Sequence, residues 1–298
     1  MSVEEAVRLL GGGEVVALPT ETVYGLGGVI DRPEAISRIY ALKGRPHGHP
    51  LIVHVYDDAE QVAVVDSRAR GLIEQLWPGP LTLLLPRRAS VPDAVTGGRD
   101  TVAVRSPAHP LIRLVLQKLQ RPLAAPSANR FGRVSPTRAE HVAEELPGVP
   151  VLDGGPCAVG LESTIVDLTG ETPALSRPGA IDRETLERLL GPLTESLAAA
   201  PGMLKAHYAP QTRLILCSPL DLSSTVAALR AAGLRVAVMP RGTDLQADAA
   251  ALYDQLRRLD DGRFDRIATA LAPERGLGVA INDRLRRAAR GSAPPEQR

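Results

Sequence analysis

Lysine is nearly absent from this 298-residue chain: of its 35 basic residues only Lys43, Lys118 and Lys205 are lysines, which leaves 32 arginines. A Walker phosphate loop needs the pair Gly-Lys, and the residues before the three lysines are Leu42, Gln117 and Leu204, so that class of nucleotide-binding protein is excluded. The dinucleotide fingerprint fails too, because Gly25-Leu26-Gly27 is followed by Ile30 and Gly276-Leu277-Gly278 by Ile281 where the third glycine should stand. With neither a GxSxG elbow nor an HExxH helix, a serine hydrolase and a zinc protease lose their usual warrants. The two cysteines, Cys157 and Cys217, make no CxxC pair, which fits a reduced cytosolic protein better than a disulfide scaffold or a zinc cluster. No apolar run approaches the roughly 18 residues of a membrane helix. The first residues, MSVEEAVRLL, are acidic and amphipathic rather than basic and then apolar, so a cytoplasmic protein without a membrane is expected. Aromatics are scarce, at two Phe, five Tyr and one Trp, and the cores must be built from Leu, Val, Ile and Ala. Asparagine occurs only at Asn129 and Asn282.

What is present is enough for two cores. Hydrophobic residues make up 44% and charged residues 23%, and the length exceeds the roughly 100–200 residues of one typical domain. A net charge of +1 argues against nonspecific coating of nucleic acid or anionic lipid. The sum hides an asymmetry: residues 201–298 hold 15 basic and 10 acidic residues, net +5, and residues 1–200 hold 20 and 24, net −4. A domain break near residue 200 is therefore expected.

Periodicity and punctuation give the order of elements. Ser2 and Glu5 have capping-box spacing before a short helix that stops at Gly11-Gly12-Gly13. A strand over 14–18 should lead into a loop over 19–28, rich in hydroxyls and glycine, and Asp31 should cap a helix to about Leu42. Short apolar runs at 51–55, 81–85, 101–105 and 122–125 read as strands, with a helix at 110–119 between the last two. Ser135-Pro136-Thr137 should open another helix. Strands near 150–153, 163–168 and 173–177 and a helix over 182–190 close the first domain. After an aperiodic segment, strands at 213–217, 234–239 and 266–269 alternate with helices at 219–232, 243–260 and 277–290. That alternation predicts a small doubly wound α/β domain.

Chemistry gathers at strand-end loops. Lys43-Gly44-Arg45-Pro46 sets two cations around a glycine, which suits a polyphosphate or, on the plainer reading, is a solvated basic turn. Ala125-Pro126-Ser127-Ala128-Asn129 puts a hydroxyl and an amide just past an apolar strand, either to meet a ligand or to cap a helix. Arg105, Ser163, Thr164 and Arg177 lie at other strand ends, where α/β sheets build small-molecule sites. His47, His49 and His54 lack a neighbouring carboxylate until Asp57, so no protein metal ligand is assigned.

Taken in order, LPTETVYGLG at 18–27, KGRP at 43–46, PLIVHV at 50–55, WPGPLTLLL at 77–85, TVAVRSP at 101–107, APSAN at 125–129, GLESTIVDL at 160–168, LSRPG at 175–179 and PGMLKAHYAP at 201–210 resemble the threonylcarbamoyl-AMP synthase family in its two-domain form. The resemblance implies a YrdC-like catalytic domain over 1–197, a twisted open mixed sheet with helices. It also implies a linker over 198–212 that folds back over the active site and a Rossmann-like α/β domain over 213–298. The implied reaction joins L-threonine, bicarbonate and ATP into threonylcarbamoyl-adenylate and pyrophosphate. A transferase complex would pass the group to adenosine 37 of tRNAs that read codons beginning with A, with direct tRNA contact an open question. Mg2+ is implied as a companion of ATP, held mainly by the phosphates, with no organic cofactor.

Carried over residue by residue, the family signature falls on Lys43, Arg45, Ser127 and Asn129 as the catalytic, phosphate-facing group, with the two cations expected on an exposed loop. Thr22, His54, Arg105, Ala125 and Ser163 match threonine-binding positions. His49, Thr101, Ser135, Arg177 and Tyr208 match ATP contacts, His49 standing where related sequences often carry Asn. Rival readings are an RNA-binding module of the same fold that makes no adenylate, and a carbamoyl-adenylating enzyme, whose assembly carries paired-cysteine zinc fingers that this chain lacks.

Overall fold

The computed structural model describes residues 1–196 and 206–292. Its described residues divide into two compact units, 1–131 with 136–196 and 132–135 with 206–292. Of the expected linker, residues 198–205 lie outside the described residues.

The first unit is built on a mixed sheet. Helix α1 (Val3–Gly11) starts where Ser2 accepts the Glu5 N–H, as the capping spacing predicts. It leads to β1 (Val16–Leu18) and β2 (Gly25–Val29), which pair antiparallel with Val16 opposite Gly27. The expected loop over 19–28 is thus a loop only to Tyr24. Its glycines serve packing: a Cβ at Gly27 would stand 2.9 Å from Leu18 Cδ1, and one at Gly28 3.0 Å from Ile39 Cδ1. Helix α2 (Pro33–Lys43) starts at its proline rather than at Asp31, which pairs with Arg121 instead, and ends where Gly44 turns left-handed at φ 59°. Then follow β3 (Ile52–His54), α3 (Ser67–Leu76), β4 (Leu81–Pro86), α4 (Asp93–Thr96), β5 (Thr101–Arg105), α5 (Pro110–Leu119) and β6 (Leu123–Ala124). The unit closes with α6 (Ala139–Glu145), β7 (Thr164–Asp167), β8 (Ala174–Arg177), α7 (Arg183–Leu190) and β9 (Thr194–Glu195). Strand order is β1-β2-β6-β3-β5-β4-β7-β8-β9.

Two sequence expectations fail here for local reasons. No helix opens at Ser135, because the Pro136 carbonyl accepts the Tyr24 N–H at 2.9 Å and the Thr137 N–H is given to His141 Nδ1 at 3.2 Å; α6 begins only at Ala139. The expected strand at 150–153 is reduced to a single bridge between Val151 and Ala17.

Strand alternation sorts the apolar residues onto two faces. Val53, Leu83, Leu85, Val102, Val104 and Val166 point into the main core, which α2, α3, α6 and α7 cover through Ile36, Ile39, Leu72, Val142 and Leu186. On the other face α1 and α5 bury Leu10, Ile112 and Leu116 against Val16, Leu18 and Leu123. At about 25 cal/mol per Å2 of apolar area removed from water, burial of this kind is the main stabilising contribution. Cys157 joins the main core, its thiol pushed up to about 12 chiefly by burial, and Cys217 is buried in the second unit; neither forms a disulfide.

The second unit holds β10 (Arg213–Cys217), α8 (Leu222–Ala231), β11 (Val236–Val238), α9 (Leu245–Leu259), β12 (Arg266–Ala270) and α10 (Leu277–Ser292). Its strands are parallel in the order β10-β12-β11, the small α/β layer read from the sequence. Arg133, in the short stretch 132–135 that belongs to this unit, bridges to Ala209 and reaches Asp260 at 3.4 Å.

Candidate active site

On the sheet face opposite the main core a separate cluster of Ile52, Leu84, Ala103 and Ile165 lies on neighbouring strands β3, β4, β5 and β7. The two-residue period of a strand sends the side chains two positions away to the same face. His54, Thr82, Arg105 and Ser163 therefore extend that apolar floor in one direction. Thr101 extends it in the other, about 13 Å from Arg105 at the rise of a strand. Arg177 is in register with Ile165, and the Ala125 N–H donates to the Ile52 carbonyl at 2.9 Å. Alternation and register together thus place Thr101, His54, Arg105, Ser163, Ala125 and Arg177 on or beside one surface.

At the Arg105 end all three nitrogens of the guanidinium are held. Arg105 Nε donates to the Gly79 carbonyl at 3.0 Å, Nη1 donates to Thr22 Oγ1 at 2.8 Å, and Nη2 stands 2.6 Å from Glu21 Oε1. The other oxygen of Glu21 accepts the Ala108 N–H at 3.0 Å. Thr20 Oγ1 donates to the Val23 carbonyl at 2.7 Å and accepts the Thr22 and Val23 N–H groups at 3.1 Å, which uses its proton and both lone pairs and holds the turn, with Thr22 Oγ1 2.8 Å away. Thr22 Oγ1 thus accepts from Arg105 and keeps a lone pair that faces the site. His54 lies in register with Arg105, is 3% exposed and has no partner on Nδ1. Burial first, then Arg105, holds its imidazole well below the usual histidine range, so it is neutral. Ser163 Oγ lies 2.7 Å from Thr82 Oγ1 and accepts from Arg177 Nη2 at 3.1 Å, while Arg177 Nε donates to the Ser163 carbonyl.

The second cluster forms where α2 ends against the turn after β6. Lys43 and Arg45 do not lie on the exposed loop that the sequence suggests. Lys43 is the last residue of α2, and both are buried, at 3% and 9% exposed. The left-handed Gly44 stops the helix here and turns the chain so that the Lys43 carbonyl receives the Phe131 N–H at 2.7 Å. Lys43 Nζ donates to the Ser127 carbonyl at 2.5 Å and the Asn129 carbonyl at 2.7 Å. Two of its three N–H bonds clamp the loop and one is left over. Burial and then Arg45 push the ammonium well below its usual value. Arg45 Nη2 donates to the Pro50 carbonyl at 2.8 Å and the guanidinium lies 5.3 Å over the Phe131 ring. His49 packs on the same ring at 5.2 Å, its imidazole lowered by burial and then by Arg45 and Arg99. Asn129 Nδ2 donates to the Arg130 carbonyl at 2.7 Å, and Ser127 bridges to Gly25.

Ser135 and Tyr208 belong to the second unit. Ser135 is fully buried. Tyr208 takes φ 60°, stacks on Tyr253 at 5.7 Å, and meets the Arg284 guanidinium at 5.4 Å.

Sequence reasoning missed Glu21, Thr20, Thr82 and Phe131. The first three stand inside quoted motifs, and a carboxylate three residues past a strand end was signal enough to ask which arginine it meets. Phe131, one of only two phenylalanines, follows the Asn129 turn directly.

Comparison with known proteins places this geometry. A family model described as telomere recombination matches residues 8–179, and one described as threonylcarbamoyl-AMP synthase, C-terminal domain, matches residues 181–290. The threonylcarbamoyl-AMP synthase of Bacillus subtilis is 39% identical over 97% of this chain and 93% of its own length. The crystal structure of Pyrococcus abyssi Sua5 complexed with L-threonine is 37% identical and superposes with a TM-score of 0.92, covering 97% of this chain and 94% of that one. Full-length HypF in its phosphate- and nucleotide-bound form, 18% identical with a TM-score of 0.53 over 59% of this chain, shares the fold alone.

Proposed function

The chain belongs to the threonylcarbamoyl-AMP synthase family, and from that membership we propose how its own residues carry the reaction. It is a nucleotidyltransferase that forms threonylcarbamoyl-AMP. The observation that supports the assignment of roles is the division of the site into two polar clusters with different chemistry. At one, Thr22, neutral His54, Arg105 and Ser163 offer acceptors and held donors to a small zwitterion. At the other, Lys43, Arg45, Ser127 and Asn129 offer cations and an amide to a triphosphate.

On this reading threonine binds at the Arg105 end, with Ala125 contributing backbone. Its ammonium loses a proton, and the amine attacks the carbon of bicarbonate with loss of water, or of CO2 with loss of a second proton, giving a carbamate. A carbamate oxygen then attacks the α-phosphorus of ATP, and the bond to the β-phosphate oxygen breaks to release pyrophosphate. Positioning and charge neutralisation supply the catalysis. The free N–H of Lys43 and the Arg45 guanidinium neutralise phosphate charge; Thr101, Arg177, His49, Ser135 and Tyr208 are proposed nucleotide contacts. No group of three His, Cys, Asp or Glu suited to a metal occurs among the described residues, so Mg2+ is proposed to arrive as part of the nucleotide, held by phosphate oxygens. The adenylate is proposed to pass to a transferase complex that modifies adenosine 37 of tRNA, in the cytoplasm; no helix among the described residues is long and apolar enough to cross a membrane.

The test is direct. Pure protein incubated with ATP, L-threonine and labelled bicarbonate should yield labelled threonylcarbamoyl-AMP and equal pyrophosphate; pyrophosphate release that ignores threonine, or no labelled adenylate at all, overturns the reading.

Lys43 adds a signature. Burial depresses its pKa in the free enzyme, and a bound triphosphate favours the charged form and raises it. Between the two values ATP binding takes up a proton, so affinity falls as pH rises through that window. Titration calorimetry in buffers of different ionisation enthalpy should show this uptake in the wild type and its loss in Lys43→Met.

A further inference from the structure

We propose that Glu21 determines the charge class of the amino-acid subsite, acting through Arg105 so that the pocket accepts a zwitterion and rejects a plain carboxylate. The inference rests on the assignment of threonine to the Arg105 end.

A lone buried guanidinium would be an indiscriminate carboxylate receptor, because any anion that reached it would complete an ion pair in a medium where unpaired charge is costly. Arg105 is not alone. It is 3% exposed, and a carboxylate of the protein itself already stands 2.6 Å from Nη2, the Glu21 side chain being only 12% exposed. Glu21 is itself fixed, since Oε2 takes the Ala108 N–H and its carbonyl accepts the Val159 N–H at 2.7 Å. The pair is therefore preorganised and sums to zero charge before any ligand arrives.

A ligand that brings net charge to a neutral pair in a buried pocket leaves that charge uncompensated. A ligand that brings a carboxylate and an ammonium together does not. The hydroxyl beside the pair suits the same ligand: Thr22 accepts from Arg105 and keeps a lone pair, which an ammonium or amine N–H can use. Neutral His54, its Nδ1 without a partner, adds no charge to this balance. Glu21 thus leaves Arg105 its remaining N–H bonds for the substrate carboxylate while cancelling the surplus that would reward an anion lacking the ammonium.

The experiment compares three ligands: L-threonine, 2,3-dihydroxybutyrate, in which a hydroxyl replaces the ammonium, and 1-amino-2-propanol, which lacks the carboxylate. Calorimetric Kd values are measured for the wild-type chain, Glu21→Gln and Glu21→Asp, with the KM for ATP alongside. Glutamine keeps the shape and the acceptor for the Ala108 N–H but removes the charge. In Glu21→Gln, threonine is expected to bind at least 10-fold more weakly. The ratio of threonine to dihydroxybutyrate affinity should fall about 10-fold, with the KM for ATP unchanged, and Glu21→Asp should recover part of the preference.

A merely structural glutamate would weaken all ligands by one factor; an unchanged ratio overturns the proposal. If Glu21→Gln does not fold, Glu21→Asp still decides, because its ratio must then fall between the wild type and parity. Failure of the underlying assignment has a different mark, since the wild type would then make no threonine-dependent adenylate.

Discussion

Lys43→Ala is expected to lose about 10²–10³-fold in kcat/KM for ATP, the range for removing one preorganised donor from developing charge, while its Kd for threonine stays within about twofold. The asymmetry follows from where the lysine sits. Its ammonium holds the carbonyls of Ser127 and Asn129, the loop that also presents the Ser127 hydroxyl and the Asn129 amide. Truncation therefore removes a cation and releases two further ligand groups together. Both hydrogen bonds of Lys43 go to Ser127 and Asn129 rather than to the Arg105 end, so the amino acid should still bind. The variant also carries a cost that an exposed lysine would not: the buried Asn129 carbonyl and the part-buried Ser127 carbonyl lose their donor, at about 1–3 kcal/mol each where water does not enter. Denaturant unfolding should show a loss of about 3 kcal/mol. Lys43→Arg should keep a donor for one carbonyl but misplace the charge, and recover stability more than activity. Full ATP-dependent turnover in Lys43→Ala removes the lysine from the site altogether.

The same residue shows what a sequence can carry. Rarity marked Lys43 and Asn129, and both proved to belong to one clamp, though the reason for their shape was half structural. The lysine spans from a helix end to two carbonyls 84 and 86 residues away, a pairing with no local trace. Strand periodicity was more informative. Alternation in 52–54, 81–86 and 101–105 is enough to put His54, Thr82 and Arg105 on one face once the strands are in register. Register itself was not legible, and so Glu21 went unnoticed although it stands next to Thr22: its partner lies 84 residues on, beyond three intervening strands of sequence. Helix α3 escaped because only Ala69 and Leu72 of its residues are buried and Gly71 interrupts it. Strand β2 was hidden by glycines that look like a loop and are there to let α2 and β1 approach. In each case the missing information is a contact between distant segments, which sequence pattern reports only as a residue of the wrong type for its place.

Gly179→Ala is expected to destabilise the first unit by about 3 kcal/mol, at the upper end of the usual cost of overpacking, and to raise the KM for threonine at the same time. Gly179 has an ordinary φ, so backbone strain is not the cause. A Cβ there would stand 2.4 Å from the Thr164 nitrogen, 2.7 Å from the Ser163 carbonyl carbon and 2.8 Å from the Glu162 carbonyl oxygen. These are backbone atoms, and no rotamer change relieves them. The strand pair must part, and what parts is the corner where Arg177 Nε and Nη2 hold the carbonyl and hydroxyl of Ser163. The damage therefore reaches the amino-acid end of the site without touching a substrate-facing side chain. Gly155→Ala is the control. Its φ is 77° and nothing lies within 4 Å of the new methyl, so it should cost only the left-handed penalty of about 1–2 kcal/mol. Denaturant unfolding of both variants beside threonine kinetics separates the mechanisms. If Gly179→Ala behaves like Gly155→Ala, with the KM for threonine unmoved, the close approach of the Arg177 corner to Ser163 is not what shapes the subsite.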